Sequence, residues 1–285
     1  MSDEPTESPA PADLSRSFGA VAEAYDRGRP GYPPEAAAWL MGGEAKVVLE
    51  LGAGTGKLTR ELVDQGHAVF ATEPDEAMLA VLRERVPEVS AKVATAEDIP
   101  ANDRSVDVVV VGQAFHWFDH DVALPEMARV LKPGGHVALV WNFFDQRIPW
   151  VRRLVNVVGE HSATSNSASE ALEGHELFEP VERTTFAFWQ DVHRDTLVDI
   201  VASRSYVATL PEAERDAKLD AVRALYDEYG RGPDGMQLPY VTECFRAKVR
   251  DQRESSATNP DDDASQEGPV VSDGTDTDML LIDFR

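Results

Sequence analysis

KVVLELGAGTGKLTREL, residues 46 to 62, sets an apolar run, three closely spaced glycines and an amphipathic stretch one after another. The run KVVLELGAG (46 to 54) is apolar enough to be a strand covered on both faces. KLTRELVDQG, which follows, reads as a helix closed by Gly66. In an open α/β sheet a ligand lies beyond the carboxyl ends of the strands, where the strand order reverses. Glu50, Gly52, Ala53, Gly54 and Gly56 therefore face the ligand, and glycine keeps side chains out of its way. Two phosphate-binding patterns fail here. GxGxxG counted from Gly52 needs a glycine where the chain has Lys57, and the P-loop pattern needs Gly and Ser/Thr where it has Leu51 and Leu58. GxGxG with an acid two residues ahead remains, and Glu50 favours a cationic ligand over a pyrophosphate.

Outward from this segment the alternation continues. AVFATEP (68 to 74) reads as a second strand, DEAMLAVLRERV as a helix with Asp75 at its N-cap, and KVATA (92 to 96) as a short third strand. VDVVVVGQ (106 to 113) is a fourth strand, DVALPEMARVLKPGG a helix with a Pro-Gly-Gly stop, and HVALVWN (136 to 142) a fifth strand. TTFAFWQDV (184 to 192) and LPYVTECFRAKV (238 to 249) supply the last two strands, the second joined to the sheet in hairpin fashion. Two helices, RDTLVDIVASRSYV and PEAERDAKLDAVRALYDEYG, lie between them. The expected fold is α/β, a doubly wound, mostly parallel seven-stranded sheet with a helical lid inserted after strand five. Residues 1 to 14 and 251 to 285 are polar and expected to be disordered tails around a domain spanning 15 to 250, with lid elements within 15 to 40 and 143 to 235.

The 285 residues carry 51 acids against 27 bases, a formal net charge of −24. Such a surface repels nucleic acid and anionic lipid, which argues against either as a partner. The tail from 251 holds ten acids and two bases, so the domain itself is strongly acidic. Only six bases are lysines, and an acid-rich, lysine-poor surface suits solvation in high salt. One cysteine, Cys244, excludes an intrachain disulfide and reads as a buried small hydrophobe. No run approaches the length of a membrane span, and MSDEPTESPAPAD lacks a signal peptide's basic start and apolar segment. A cytoplasmic protein, monomer or homodimer, is expected. His116 and His120 with Asp119 and Asp121 are the one histidine cluster, too weak a pattern to predict a metal.

The GxGxG loop with Glu50 resembles the first motif of the class I methyltransferases that use S-adenosylmethionine (SAM), with their Rossmann-like fold. SFGAVAEAYDRGRPGYP (17 to 33), GQAFHWFD (112 to 119), VWNFFDQRIPWV and SRSYV resemble the type 11 branch related to trans-aconitate methyltransferases, a likeness running from about Phe18 to Val249. The resemblance implies a methyltransferase that uses SAM as cofactor. It lays the glycine loop against the methionine and ribose parts and gives Glu50 a share in holding the amino acid end. Glu73, 21 residues after Gly52 and followed by Pro74, ends strand two where a carboxylate can accept from both ribose hydroxyls. Relatives often carry Gly-Asp-Ala after strand three. This chain has Thr95 at that place, so the adenine contact falls to the backbone of Ala96 and to Glu97.

Gln113 and His116, after strand four, are expected beside the sulfonium, with Trp117 and Phe118 shaping the pocket. His116 is the candidate general base for an amine or hydroxyl acceptor. A carboxylate acceptor needs none, and a histidine that only bonds backbone in a packed aromatic turn is the competing reading. Tyr25, Arg29 and Tyr32 belong to a segment that in such enzymes can fold over the cofactor. Arg204 and Tyr206 are candidates for gripping an anionic acceptor. Trp141 and Asn142 are placed at the acceptor pocket, and Trp150 and Trp189 in the core. The expected acceptor is a small molecule, with a carboxylic acid as the candidate. A quinone or lipid-like ring is the alternative acceptor, and a non-catalytic SAM-binding regulator or a NAD-dependent oxidoreductase the alternative activity.

Overall fold

The computed structural model describes residues 26, 28–159, 170–230 and 234–250, leaving aside the side chains of residues 205 and 206. Helix α1 (Pro34–Met41) precedes β1 (Val47–Leu51), α2 (Lys57–Asp64), β2 (Ala68–Thr72), α3 (Glu76–Arg85) and β3 (Ser90–Lys92). Then come β4 (Val106–Gly112), a 3-10 turn at Phe115–Trp117, α4 (His120–Val130), β5 (Leu131–Phe144) and α5 (Pro149–Val158). The chain continues through β6 (Glu182–Val192), α6 (Arg194–Ala202), α7 (Ser205–Ala208), α8 (Glu212–Tyr229) and β7 (Met236–Lys248).

The seven strands lie in the order β3-β2-β1-β4-β5-β7-β6. β1 to β5 pair in parallel, and β7 runs antiparallel between β5 and β6. The order reverses between β1 and β4, so the carboxyl ends of those two strands frame the crevice. Period-two alternation divides their side chains between two cores. Val48, Val108, Val110 and Val140 face α1, α2 and α3. Leu49, Leu51, Val109, Val111 and Trp141 face the other layer with Phe115 and Met127 of the 3-10 turn and α4. Coverage on both sides explains why β4 reads VDVVVVG with so little polarity. Asp75 caps α3 as its type predicts, accepting hydrogen bonds from the Ala77 and Met78 amides.

A third apolar cluster joins α5, α6 and α8 to Phe144, Tyr240, Leu238 and Val192. Three expectations need correcting. β3 lies at Ser90–Lys92 rather than 92 to 96, because beyond Lys92 the chain leaves β2 and Val93 is 49% exposed. Trp189 is not core: it is 58% exposed, on the open face of β6 at the sheet's edge. α4 ends at Val130, and the Pro-Gly-Gly expected to stop it belongs instead to β5, which begins at Leu131. The tails, residues 1 to 14 and 251 to 285, lie outside the described residues, as does Tyr25. No helix among the described residues is long and apolar enough to cross a membrane.

Candidate active site

The chain leaving β1 turns through Gly52, Gly54 and Gly56, with φ of 66°, 57° and 86°. Gly52 is required twice over. Its φ is left-handed, and a Cβ there would stand 2.7 Å from the Ala114 Cβ in the segment after β4. The two loops thus touch backbone to side chain across the switch point. Gly56 leads into α2, packed against Leu82 and Val86 of the α3 region.

Two buried carboxylates flank this turn. Glu50, 1% exposed, accepts a 2.6 Å hydrogen bond from the Thr59 hydroxyl on α2. Burial raises its pKa to about 8 against the opposing Thr59 bond, and the Glu73 charge adds to the rise. Glu73 accepts from the Gly54 amide at 2.9 Å through Oε2 and from the Asp75 amide at 3.0 Å through Oε1. Burial also raises the pKa of Glu73, while these two amide bonds pull it down. Pro74, between them, is half-buried. The amides hold Glu73 where the first and second strands end, with lone pairs left for further donors.

The crevice is bounded on the other side by the ends of β4 and β5. Gln113 holds a left-handed φ of 62°, rare outside glycine, and donates from Nε2 to the Asn142 carbonyl at 3.3 Å. Asn142, 3% exposed, donates from Nδ2 to the Gly31 carbonyl at 3.0 Å and accepts from the Thr242 hydroxyl at 2.7 Å. Gly31 belongs to a strap, residues 28 to 33, that crosses the opening. Arg29 and Tyr32 of the strap line the crevice together with Glu50, Gly52, Gly54 and Ala53. The Tyr32 hydroxyl sits where a Cβ on Gly112 would lie 2.7 Å away. Gly28 is pressed on α6, with space for no side chain beside the Asp199 carbonyl. Asp26, 2% exposed, reaches Lys57 at 3.5 Å and Arg85 at 2.9 Å. Lys57, the residue that breaks the dinucleotide pattern, therefore pairs with a buried acid that precedes the strap.

Arg29 donates to the Ser203 carbonyl at 3.4 Å, beside Arg204. Arg204 is 8% exposed and its guanidinium lies 4.4 Å from the centre of the Phe144 ring. His116 stands in the 3-10 turn with its ring 4.6 Å from that of Trp117. Burial, then the charges of Arg29 and His120, lowers its pKa to about 4. Its Nδ1 is buried with no hydrogen-bond partner among the described residues. Trp117 packs beside Met78 at the start of α3, on the Glu73 side.

One expected pocket residue falls elsewhere, inside the core. Trp141 is 1% exposed and packs edge-on against Phe245, because its neighbour Asn142 takes the crevice face of β5. It does not line the opening. Ala96 is buried in the core beside Ile99. Glu97 accepts from the Asp119 amide at 2.9 Å, steadying the entry to α4. The Tyr206 side chain, like Tyr25, lies outside the described residues. Thr59, Thr242, Ser203 and Asp26 are additions that no spacing rule signalled. Among the described residues no group of acids, histidines or cysteine is placed to hold a metal ion.

The arrangement suits SAM. Glu50 lines the crevice, and buried Glu73 takes the Gly54 amide at the edge of the turn, so a cationic nucleoside suits these groups where a pyrophosphate does not. Comparison with known proteins agrees. Residues 49–139 match the family model of the methyltransferase domain called Methyltransf_11. The chain is 46% identical over 239 residues to the uncharacterized methyltransferase Rv3342 of Mycobacterium tuberculosis, covering 83% of this chain and 97% of that protein. It is 35% identical over 221 residues to the uncharacterized methyltransferase C25B8.09 of Schizosaccharomyces pombe, covering 73% and 88%. A solved structure from Anaeromyxobacter dehalogenans, described as a type II methyltransferase, superposes with a TM-score of 0.60 at 25% identity, over 78% of this chain and 97% of that one. With the glycine turn, the paired acids and near full-length relatives all in agreement, the chain belongs to the class I SAM-dependent methyltransferases.

Proposed function

We propose that the enzyme methylates a small anionic molecule, a carboxylic acid in its ionised form. The observation that carries this reading is Arg29, which lines the crevice beside a neutral histidine and is tied to the Ser203 carbonyl, in a protein of net charge −24. A guanidinium lining the crevice of so acidic a chain favours an anion there, and Arg204, next in sequence to Ser203 and stacked on Phe144, adds positive charge to that wall. Bound in the crevice, SAM supplies a methyl group on a positively charged sulfur, and its transfer to a carboxylate oxygen leaves a neutral thioether with no proton to remove.

The residues around the crevice divide that work. Glu50, Glu73 and the glycine turn hold the cofactor, and the Gln113 bend aims the end of β4 at the reacting end. The strap, with α5, α6 and α8 behind it, acts as a lid that excludes water. His116, with a pKa near 4, is too weak a base to deprotonate an amine or hydroxyl efficiently at neutral pH. Its place beside Arg29 suits a hydrogen bond to the acceptor instead. Likeness to the trans-aconitate branch in AFHWF and SRSYV also supports an acidic acceptor, without naming one.

The test is a mass-resolved screen of carboxylic, amine and phenolic acceptors with purified enzyme and labelled SAM. Methyl esters are expected. Arg204→Ala should lower kcat/KM for the acid about 100-fold, on the scale of a lost charge-assisted bond of about 3 kcal/mol, with SAM affinity unchanged. Exclusive methylation of amines or ring carbons would discard the carboxylate reading.

A further inference from the structure

We propose that β6 pairs with β6 of a second copy of this chain, joining two seven-stranded sheets into one. β6 ends the sheet, and its 11 residues pair with β7 from Glu182↔Arg246 to Val192↔Met236 without a bulge. An edge of that length presents a row of unpaired amide and carbonyl groups, and monomeric proteins blunt such edges with lysine, proline, bulges or short strands. ERTTFAFWQDV contains no lysine and no proline, and its register is unbroken. Among the described residues its outer face is uncovered as well. Arg183, Thr185, Ala187, Trp189 and Asp191 are all exposed, Trp189 at 58%.

The sequence of the edge matches itself. Ala187 is the midpoint of the strand, and a two-fold axis through it lets all 11 residues pair antiparallel with their own copies. In that register Arg183 stands opposite Asp191 of the second copy, twice over, and Thr185 opposite Trp189. The smallest side chain of the strand sits on the axis, where two copies approach most closely. Trp189 then leans over the neighbouring copy's Thr185 and Ala187. Those two residues border a groove of about 730 Å³, floored by Phe143 and Val241 and flanked by Glu243. An exposed indole facing an open groove of this chemistry accounts for both features at once. Arg183 already contacts Glu173 at 2.9 Å, which leaves its fork able to share a second carboxylate. The inference does not depend on the acceptor.

Sedimentation of the full chain at 0.15 and 1 M KCl should give twice the 31.3 kDa chain mass, the higher salt screening the net repulsion. Trp189→Lys should weaken the dimer at least 10-fold. Arg183→Asp should do the same at low salt, and Arg183→Asp with Asp191→Arg should restore it. Register is read by cross-linking, since the native Cys244 is buried and silent. Ala187→Cys should link to itself under mild oxidation, Thr185→Cys alone should not, and a mixture of Thr185→Cys and Trp189→Cys should link between copies. A monomer at both salts up to about 100 µM, or a dimer in which Ala187→Cys stays unlinked, overturns the proposal. Each variant is checked for SAM binding, which lies across the sheet from this edge and should not change.

Discussion

At the scale of single residues the cofactor crevice is a problem in keeping charge where water is scarce. Glu50 has a pKa of about 8, so the free enzyme at neutral pH holds it mostly protonated. A cationic ligand favours the ionised form, and binding must then expel a proton. SAM affinity should fall as pH drops below 8, by up to about tenfold per unit, and level off above it. Calorimetry in buffers of different ionisation heat reads both the affinity and the proton. Glu50→Gln should flatten the profile, and a pH-independent affinity in the native enzyme would count against this account. The stability of the free protein runs the other way. A raised carboxyl pKa contributes fully below its ordinary value of 4.5, and the contribution is lost as pH rises through about 8. His116, lowered to about 4, is neutral across the working range, so kcat should show no histidine titration between pH 5 and 8. Initial rates with saturating acceptor measure that directly. Glu50, Gly52, Gly54 and Glu73 were legible in the sequence because backbone chemistry and spacing fix them. Thr59 and Asn142's partners were not, since a hydroxyl or amide earns its role from what lies opposite in space.

At the scale of elements, the strap is held at both ends by polar ties rather than by packing alone. Asn142 carries one of them, to Gly31, and is itself fixed by the Thr242 hydroxyl of β7; Arg29 carries another, to Ser203. As it lies, the strap leaves only about 40 Å³ open in the crevice, far below the hundreds of Å³ of a ligand site, because Arg29 and Tyr32 enter it. If SAM binds in this crevice, loading and release are expected to lift the strap, and two variants test it. Asn142→Ala should speed SAM dissociation about tenfold in stopped-flow experiments and destabilise the fold by about 1 to 3 kcal/mol through its orphaned partners. Gly28→Val, which cannot fit against α6, should speed release as well while sparing the glycine turn; unchanged release in both variants would remove the strap from the cycle. The strands with continuous apolar character, β1 and β4, were read correctly from their runs. β3 was displaced because KVATA is as strand-like as SAK, and three residues at an edge leave no periodic signal. Trp189 and Trp141 were both misplaced for one reason: in TTFAFWQ and ALVWN apolar residues occur on both faces, and parity alone does not say which face another layer covers.

At the scale of the whole molecule, the charge of −24 means self-repulsion that salt relieves. The melting temperature should rise by several degrees between 0.05 and 1 M KCl, on the order of 1 to 2 kcal/mol by the usual conversion for a chain of this size. Scanning calorimetry across that range checks it, and a flat response would exclude salt adaptation. Sequence alone conveyed the doubly wound pattern, since strands and helices alternate plainly up to Asn142. The packing of α5, α6 and α8 around Phe144 and Tyr240 was hidden, because it joins segments far apart in the chain. The position of β7 carries a consequence for biosynthesis. β7, the last strand among the described residues, is wedged between β5 and β6, so β6 leaves the ribosome before the neighbour it bonds and must wait for some forty residues. A nascent chain stopped before Met236 would hold the whole glycine motif and yet leave Asn142 without Thr242, a half-built sheet with one raw margin exposed to chaperones.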